Sequence, residues 1–150
     1  MNTQRLAVED QLALQQLNAD FAYYLDNHKV DQLLSLFTEQ AYYRHGSRIT
    51  EGIGEIEQLF RNRSASSARI ARHVISGLRL EKTSEKSAVG CSVVVTWAEN
   101  GSIPIAGAEP HLVADFNDQY EKGLDEYWRI SRREITRIFV GHQNTGPVGG

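Results

Sequence analysis

Hydrophobic positions recur at two different periods along the chain, and the change falls near residue 68. Before it, Leu14, Leu17, Phe21, Tyr24 and Leu25 repeat at helical spacing, with Glu9 and Asp10 near the end where a helix dipole favours acids. The segment DNHK, residues 26–29, interrupts the pattern, and Val30, Leu33, Leu34 and Phe37 resume it. This predicts a long first helix and a shorter second one. TEQAYYRHGSRITEG then predicts two short strands turning about His45 and Gly46, and Ile56, Leu59 and Phe60 mark the apolar face of a third helix.

Beyond the change, segments 69–82, 86–99, 111–122 and 126–140 carry strand character. In the second of these, Val89, Cys91, Val93, Val95 and Trp97 alternate, which predicts the buried face of a pleated strand. In the first, RIARHVISGLRLEK, the residues Ala71, His73 and Ile75 share one parity while Leu78 and Leu80 have the other. A β-bulge at Gly77 reconciles them and aims His73, Ile75, Leu78 and Leu80 into one concave interior. Asn100-Gly101 opens a loop whose prolines keep it out of any central strand. Helices first and strands afterwards imply an α+β architecture: three helices in the N-terminal half, packed on one side of a curved, mostly antiparallel sheet of about six strands. Residues 1–140 are expected to form a single domain and 141–150 a flexible tail.

Composition narrows the function classes. A chain of 150 residues with 41% hydrophobic content has the size and apolar content of one domain with a real core. The formal net charge of −3 argues against a nucleic-acid partner held by phosphate neutralisation. Arg61, Arg63, Arg69 and Arg72 read as a solvated basic face. The one cysteine, Cys91, lies in the apolar alternation and reads as a buried thiol in a reducing compartment. No apolar run approaches the ~20 residues of a membrane span, and MNTQRLAVEDQLALQQL has no signal-peptide core. The expectation is a cytoplasmic protein without membrane contact, in which the Asn-x-Ser matches at Asn62 and Asn100 carry no glycan.

Candidate chemistry centres on His73, an imidazole among apolar residues. It is either a satisfied core histidine or a site residue. His28 in the helix break, His45 at a turn and His142 in the tail read as surface residues, whereas His111, opening HLVADFNDQY, is placed at a pocket mouth. Trp97, Trp128 and Phe116 read as aromatic packing around a cavity, not as a base-stacking surface. Metal-ligand spacing and glycine-rich phosphate loops are both lacking.

The order of elements, a first helix leading through YYLDNHKVDQLLSLFTEQAYY to RHVISGLRLEK, then ADFNDQY and a closing YWRISRREI, resembles the SnoaL-like group of the nuclear transport factor 2-like superfamily. The resemblance spans nearly the whole chain. It implies a cone-shaped, strongly bent sheet closed by helices around a deep pocket, and it is nearest in pattern to scytalone dehydratase-like and hexachlorocyclohexane dehydrochlorinase-like members. Those share an aspartate at the end of helix 1 and a histidine at the start of the first long strand, positions held here by Asp26 and His73. Tyr43 matches a pocket tyrosine, with Tyr42 as the alternative register. Phe21 stands where many relatives have a polar residue five positions before the aspartate. Helical periodicity alone does not point Asp26 inward, since about 100° per residue sets it away from the Leu14, Leu17 and Phe21 stripe.

An imidazole with its ordinary pKa near about 6.5 takes a proton at neutral pH, and a carboxylate on its other nitrogen fixes the tautomer and stabilises the imidazolium. Two function classes follow. One is a lyase or isomerase that needs no cofactor and no metal, of dehydratase, cyclase or dehydrohalogenase type. It would act on a small, mostly apolar substrate, cyclic ones included, with His73 as base, Asp26 as orienter, Tyr43 as donor, and Phe21, Tyr42, His111, Trp97 and Phe116 around the substrate. The other is a non-catalytic ligand-binding or structural subunit, like the small subunit of an aromatic-ring dioxygenase. In either case a homodimer or homotrimer is expected through the convex sheet, whose closing strand shows Tyr127, Arg129, Ser131 and Arg133 on one parity beside Ile135 and Phe139.

Overall fold

The stripe Leu14, Leu17, Phe21 and Leu25 is buried on α1 (Val8–Asp26), with Asn18 among them. A second stripe, Gln15, Asn18, Ala19, Ala22 and Asp26, repeats at the same spacing on the neighbouring face. Its alanines leave room for a strand to pass close by. The helix ends in a left-handed turn: His28 has φ 56°, its N–H bonds the Leu25 carbonyl (3.4 Å), and the Lys29 N–H bonds that of Tyr24 (2.9 Å). This is a Schellman closure, which satisfies carbonyls at the helix end. The computed structural model describes residues 5–65 and 69–141. After α1 come α2 (Val30–Leu34), β1 (Phe37–His45), β2 (Arg48–Glu51), α3 (Ile53–Ser64), β3 (Arg69–Ser84), β4 (Ser87–Asn100), β5 (Leu112–Lys122) and β6 (Trp128–Val140). Phe37, expected at the end of the second helix, instead opens β1, and α2 is a single short turn of five residues.

The six strands form one sheet in the order β2-β1-β6-β5-β4-β3. All neighbours are antiparallel except β1 and β6, which run parallel with Tyr43 beside Arg133. The predicted bulge in β3 is present: the register with β4 shifts between Ser76 and Arg79, and Gly77 has φ 67°, a conformation that favours glycine. Ala71, His73, Ile75, Leu78 and Leu80 consequently all turn to the less exposed face of β3. The core lies between this concave face and the helices. Edge-on aromatic contacts tie its parts together, with Phe21 of α1 at 6.2 Å from Phe37 and 6.0 Å from Phe116, and Tyr43 at 5.5 Å from Phe60 of α3.

Three expectations about faces are overturned. On β4 the buried parity is Ala88, Ser92, Val94 and Thr96, whereas Cys91, Val93 and Trp97 face outward and are exposed. A strand with apolar residues on both faces does not declare which one meets the helices. Cys91 is therefore an exposed free thiol. On β6, a shift opposite Gln119 and Tyr120 leaves Ser131 unmatched and flips the parity after it, so that Ile130, Arg133 and Ile135 all point inward. Arg133, expected on the convex face, is fully buried. Finally, Arg63 is 7% exposed, not part of a solvated basic face, and Arg69 is half-buried, while Arg61 and Arg72 are exposed. The tail 142–150, His142 included, lies outside the described residues. No helix among the described residues is long and apolar enough to cross a membrane.

Candidate active site

Asp26 reaches β3 because it ends the second stripe of α1, on the side past which β3 runs. One carboxylate oxygen accepts from His73 Nδ1 at 2.6 Å and the other from the His73 backbone N–H at 2.9 Å. The side chains are 6% and 1% exposed, respectively. With Nδ1–H committed to the carboxylate, the neutral ring presents a bare lone pair at Nε2, which is buried and has no hydrogen-bond partner among the described residues. Burial lowers the His73 pKa, and the positive charges of Arg63 and Arg69 lower it further; the Asp26 hydrogen bond and charge oppose them without reversing the sign. The ring is therefore neutral at physiological pH.

His73 joins Phe21, Leu25, Tyr43, Val94, Leu112, Phe116 and Ile135 around an apolar interior chamber. The tyrosine that enters is Tyr43, with its hydroxyl buried and unpartnered. Burial pushes its pKa up to about 12, partly offset by the charges of Arg133 and Arg63, so it remains a proton donor. The chamber side chains close on one another, leaving no room for a water-sized molecule. His73 also borders an open cleft of about 500 Å³ between α1 and β3, lined by Gln15, Ala19, Ala22 and the Gly77 bulge.

Other predicted residues lie elsewhere. Tyr42 faces out, and the Arg132 guanidinium stacks on its ring at 3.9 Å. Trp97 is on the convex face. His111 is buried at the entry to β5, where its N–H donates to the Thr96 carbonyl at 2.7 Å, and it lines a separate cleft of about 370 Å³ with Glu109, Pro110 and Gly141. Phe21 and Phe116 are in the chamber wall. His45, read as a surface residue, is 2% exposed: it ends β1 between β2 and β6, where Arg137 Nε donates to its Nε2 at 3.4 Å. His28 is half-buried, with its ring against Ser64 Oγ and the Arg69 carbonyl.

Sequence reasoning missed the polar groups of the inner sheet face. Thr96 stands directly across the ladder from His73, and its hydroxyl, like that of Ser92, is buried without a partner among the described residues. Arg133 bonds Asp118 through Nε (2.8 Å) and one Nη (2.9 Å), while Tyr120 donates to Asp118 at 2.6 Å and Asn18 completes the network. Its guanidinium lies 4.5 Å from the Phe21 ring and 4.4 Å from that of Phe116. Burial works against its charge, and Asp118 outweighs burial, leaving the pKa raised. The signal for this pair was the ladder itself, since Asp118 faces Arg133 across β5 and β6. Among the described residues, no group of three or more His, Cys, Asp or Glu side chains is arranged to hold a metal ion.

Solved structures share this architecture. A protein provisionally assigned as a scytalone dehydratase from Novosphingobium aromaticivorans is similar with TM-score 0.80 and 18% identity, over 94% of this chain and 92% of that one. ActVI-ORFA from Streptomyces coelicolor is similar with TM-score 0.78 and 15% identity, over 90% of this chain and 99% of that one. A Catenulispora acidiphila protein in complex with S-DNPA is similar with TM-score 0.74 and 16% identity, over 87% and 95%. No curated protein matches significantly. The match to the SnoaL-like domain covers residues 6–134, the whole span from the start of α1 into β6 that carries the dyad, Tyr43 and the Asp118–Arg133 pair, and the chain belongs to that family.

Proposed function

We propose that the protein is a cofactor-independent lyase or isomerase of small molecules, with His73 as general base. The observation that carries this reading is the buried Nε2 of His73, unpartnered at a chamber wall while Nδ1 is bound to Asp26. A neutral imidazole so oriented accepts a proton from carbon next to a carbonyl or leaving group, and Asp26 stabilises the imidazolium formed. Tyr43 donates to the oxygen that gains charge. Phe21, Leu112 and Phe116 favour an apolar substrate, cyclic ones included. The protein acts in the cytoplasm as a homodimer or homotrimer joined through the convex sheet face.

Proton abstraction can be read before the natural substrate is known. Incubation of the protein with small cyclic ketones in D₂O, followed by NMR, is expected to show exchange of the hydrogens next to the carbonyl. His73→Gln should abolish it. Exchange at an undiminished rate in His73→Gln would sink the mechanism. The closed chamber, which has no room for a water-sized molecule, favours a second reading in which the fold serves as a non-catalytic binding or structural subunit. Saturable ligand binding without any exchange would establish that one instead.

A further inference from the structure

Arg63 and Arg69 take no part in the dyad, yet both are drawn into the protein beside it. Arg63, in the last turn of α3, donates one Nη to the Leu25 carbonyl at 3.3 Å, while its Nε and other Nη are buried without a partner among the described residues. Arg69 opens β3, and its Nε and the equivalent Nη are in the same condition. His28 joins the two stretches of chain, since its ring touches Ser64 Oγ at 3.2 Å, next to Arg63, and the Arg69 carbonyl at 3.4 Å. The two charges feel one another: burial first, then Arg69, brings the Arg63 pKa down to about 10. The charge of Arg63 also acts on Tyr43 and His73.

Like charges with buried, unmet donors are costly, and a folded chain keeps them where something else completes them. Asp26 is the acid whose charge Arg63 feels, and both of its oxygens are already bonded to His73. The same molecule shows what fits. Arg133 holds Asp118 side-on through Nε and Nη2, at 2.8 and 2.9 Å, and that same edge is empty on Arg63 and on Arg69. A carboxylate supplies two coplanar oxygens and one negative charge for such an edge.

We propose that Arg63 and Arg69 form a carboxylate-binding site that anchors the substrate beside the Asp26–His73 dyad. The inference rests on the lyase or isomerase reading and narrows its substrate class to apolar molecules bearing one carboxylate. The arginines set the carboxylate at one end, and the apolar body lies on the side of the dyad.

Isothermal titration calorimetry at fixed ionic strength tests it with benzoate, its neutral counterpart benzamide, and sulfate. Benzoate should bind saturably and benzamide should not. Arg69→Gln should weaken benzoate at least about ten-fold, and Arg63→Lys, which keeps the charge but loses the side-on edge, should do the same. If Arg63→Lys fails to fold by circular dichroism, the half-buried Arg69→Gln decides. Benzoate binding is read independently of exchange, in the unaltered protein and in the arginine variants alone. Failure of the base mechanism alone would therefore show as lost exchange chemistry with benzoate binding retained. Equal binding of benzamide, binding of sulfate in place of benzoate, no benzoate binding, or benzoate affinity unchanged in folded Arg69→Gln would each overturn the site.

Discussion

The Asp26 carboxylate holds His73 at two points, the ring Nδ1 at 2.6 Å and the backbone N–H at 2.9 Å. Anchoring on the backbone of the same residue fixes where the carboxylate lies relative to the ring, and it ties the end of α1 to the first turns of β3. The pair thus both joins two elements and sets a tautomer.

Asp26→Asn should damage both roles. An asparagine has one acceptor oxygen for two donors, so its amide N–H₂ either faces a donor on His73 or turns the ring to the tautomer protonated at Nε2, which removes the base. Urea unfolding should show a loss of about 1–3 kcal/mol, with turnover impaired in the same variant. His73→Ala should reduce kcat by ~100-fold or more on a true substrate, and an active, stable His73→Gln would leave only a packing role for this histidine.

Acid should destabilise the fold before its carboxylates titrate. Burial, the largest cause in each case, lowers the pKa of His45 to about 4 and also lowers those of His73 and His111, with Arg137 and Arg48 adding to the effect on His45. An unfolded imidazole titrates near about 6.5, so the unfolded chain binds more protons as pH falls below that value. The stabilisation is complete above the unfolded pKa and is lost on the way down to the folded one. For His45 alone this amounts to roughly 3 kcal/mol between about pH 6.5 and 4. Urea unfolding at pH 7.5 and 4.5 should show the fall, and His45→Gln should flatten part of it; a flat profile in the unaltered protein would refute the account.

The buried pair Asp118–Arg133 predicts an asymmetry between breaking it and replacing it. Removing one partner, as in Asp118→Ala, leaves a guanidinium that is 0% exposed without its counter-charge, at a cost of roughly 3–5 kcal/mol. Replacing both, as in Asp118→Leu with Arg133→Met, should recover most of that loss. Chemical denaturation of the two single variants and the double variant measures the difference, and a double variant no more stable than the singles would contradict it.

Association should occur through the convex sheet face, where Val93 and Trp97 are exposed at 40% and 36% beside Cys91. Sedimentation velocity or light scattering at micromolar concentration should report a dimer or trimer, and Val93→Lys should shift it toward monomer. A monomer across that range would reject the interface.

How far the site was readable follows from how each residue is held. The bulge at Gly77 was legible because parity inverts on its two sides, and with it the inward direction of His73. Asp26 was not visible in the main apolar stripe; the second stripe of Gln15, Asn18, Ala19 and Ala22, small and polar instead of apolar, leads to it. The resemblance put Tyr43 in the pocket with Tyr42 as the alternative register, and only the tertiary structure separates them, burying Tyr43 beside Arg133 of β6.

The chain by itself determined the elements and their order, because periods of 3.6 and 2 are local properties that each segment carries alone. Through the bulge in β3 it also determined the inward direction of His73, whereas Asp26 followed only from the family resemblance together with the break after α1. Tertiary structure decided which face of each strand meets the helices. The outward turn of Cys91 and Trp97 and the inward turn of Arg133 depend on where helices cover the sheet and where β6 bulges against β5. A strand with apolar or polar residues on both faces has no local reason to choose, and the choice is made by the partner that removes one face from water.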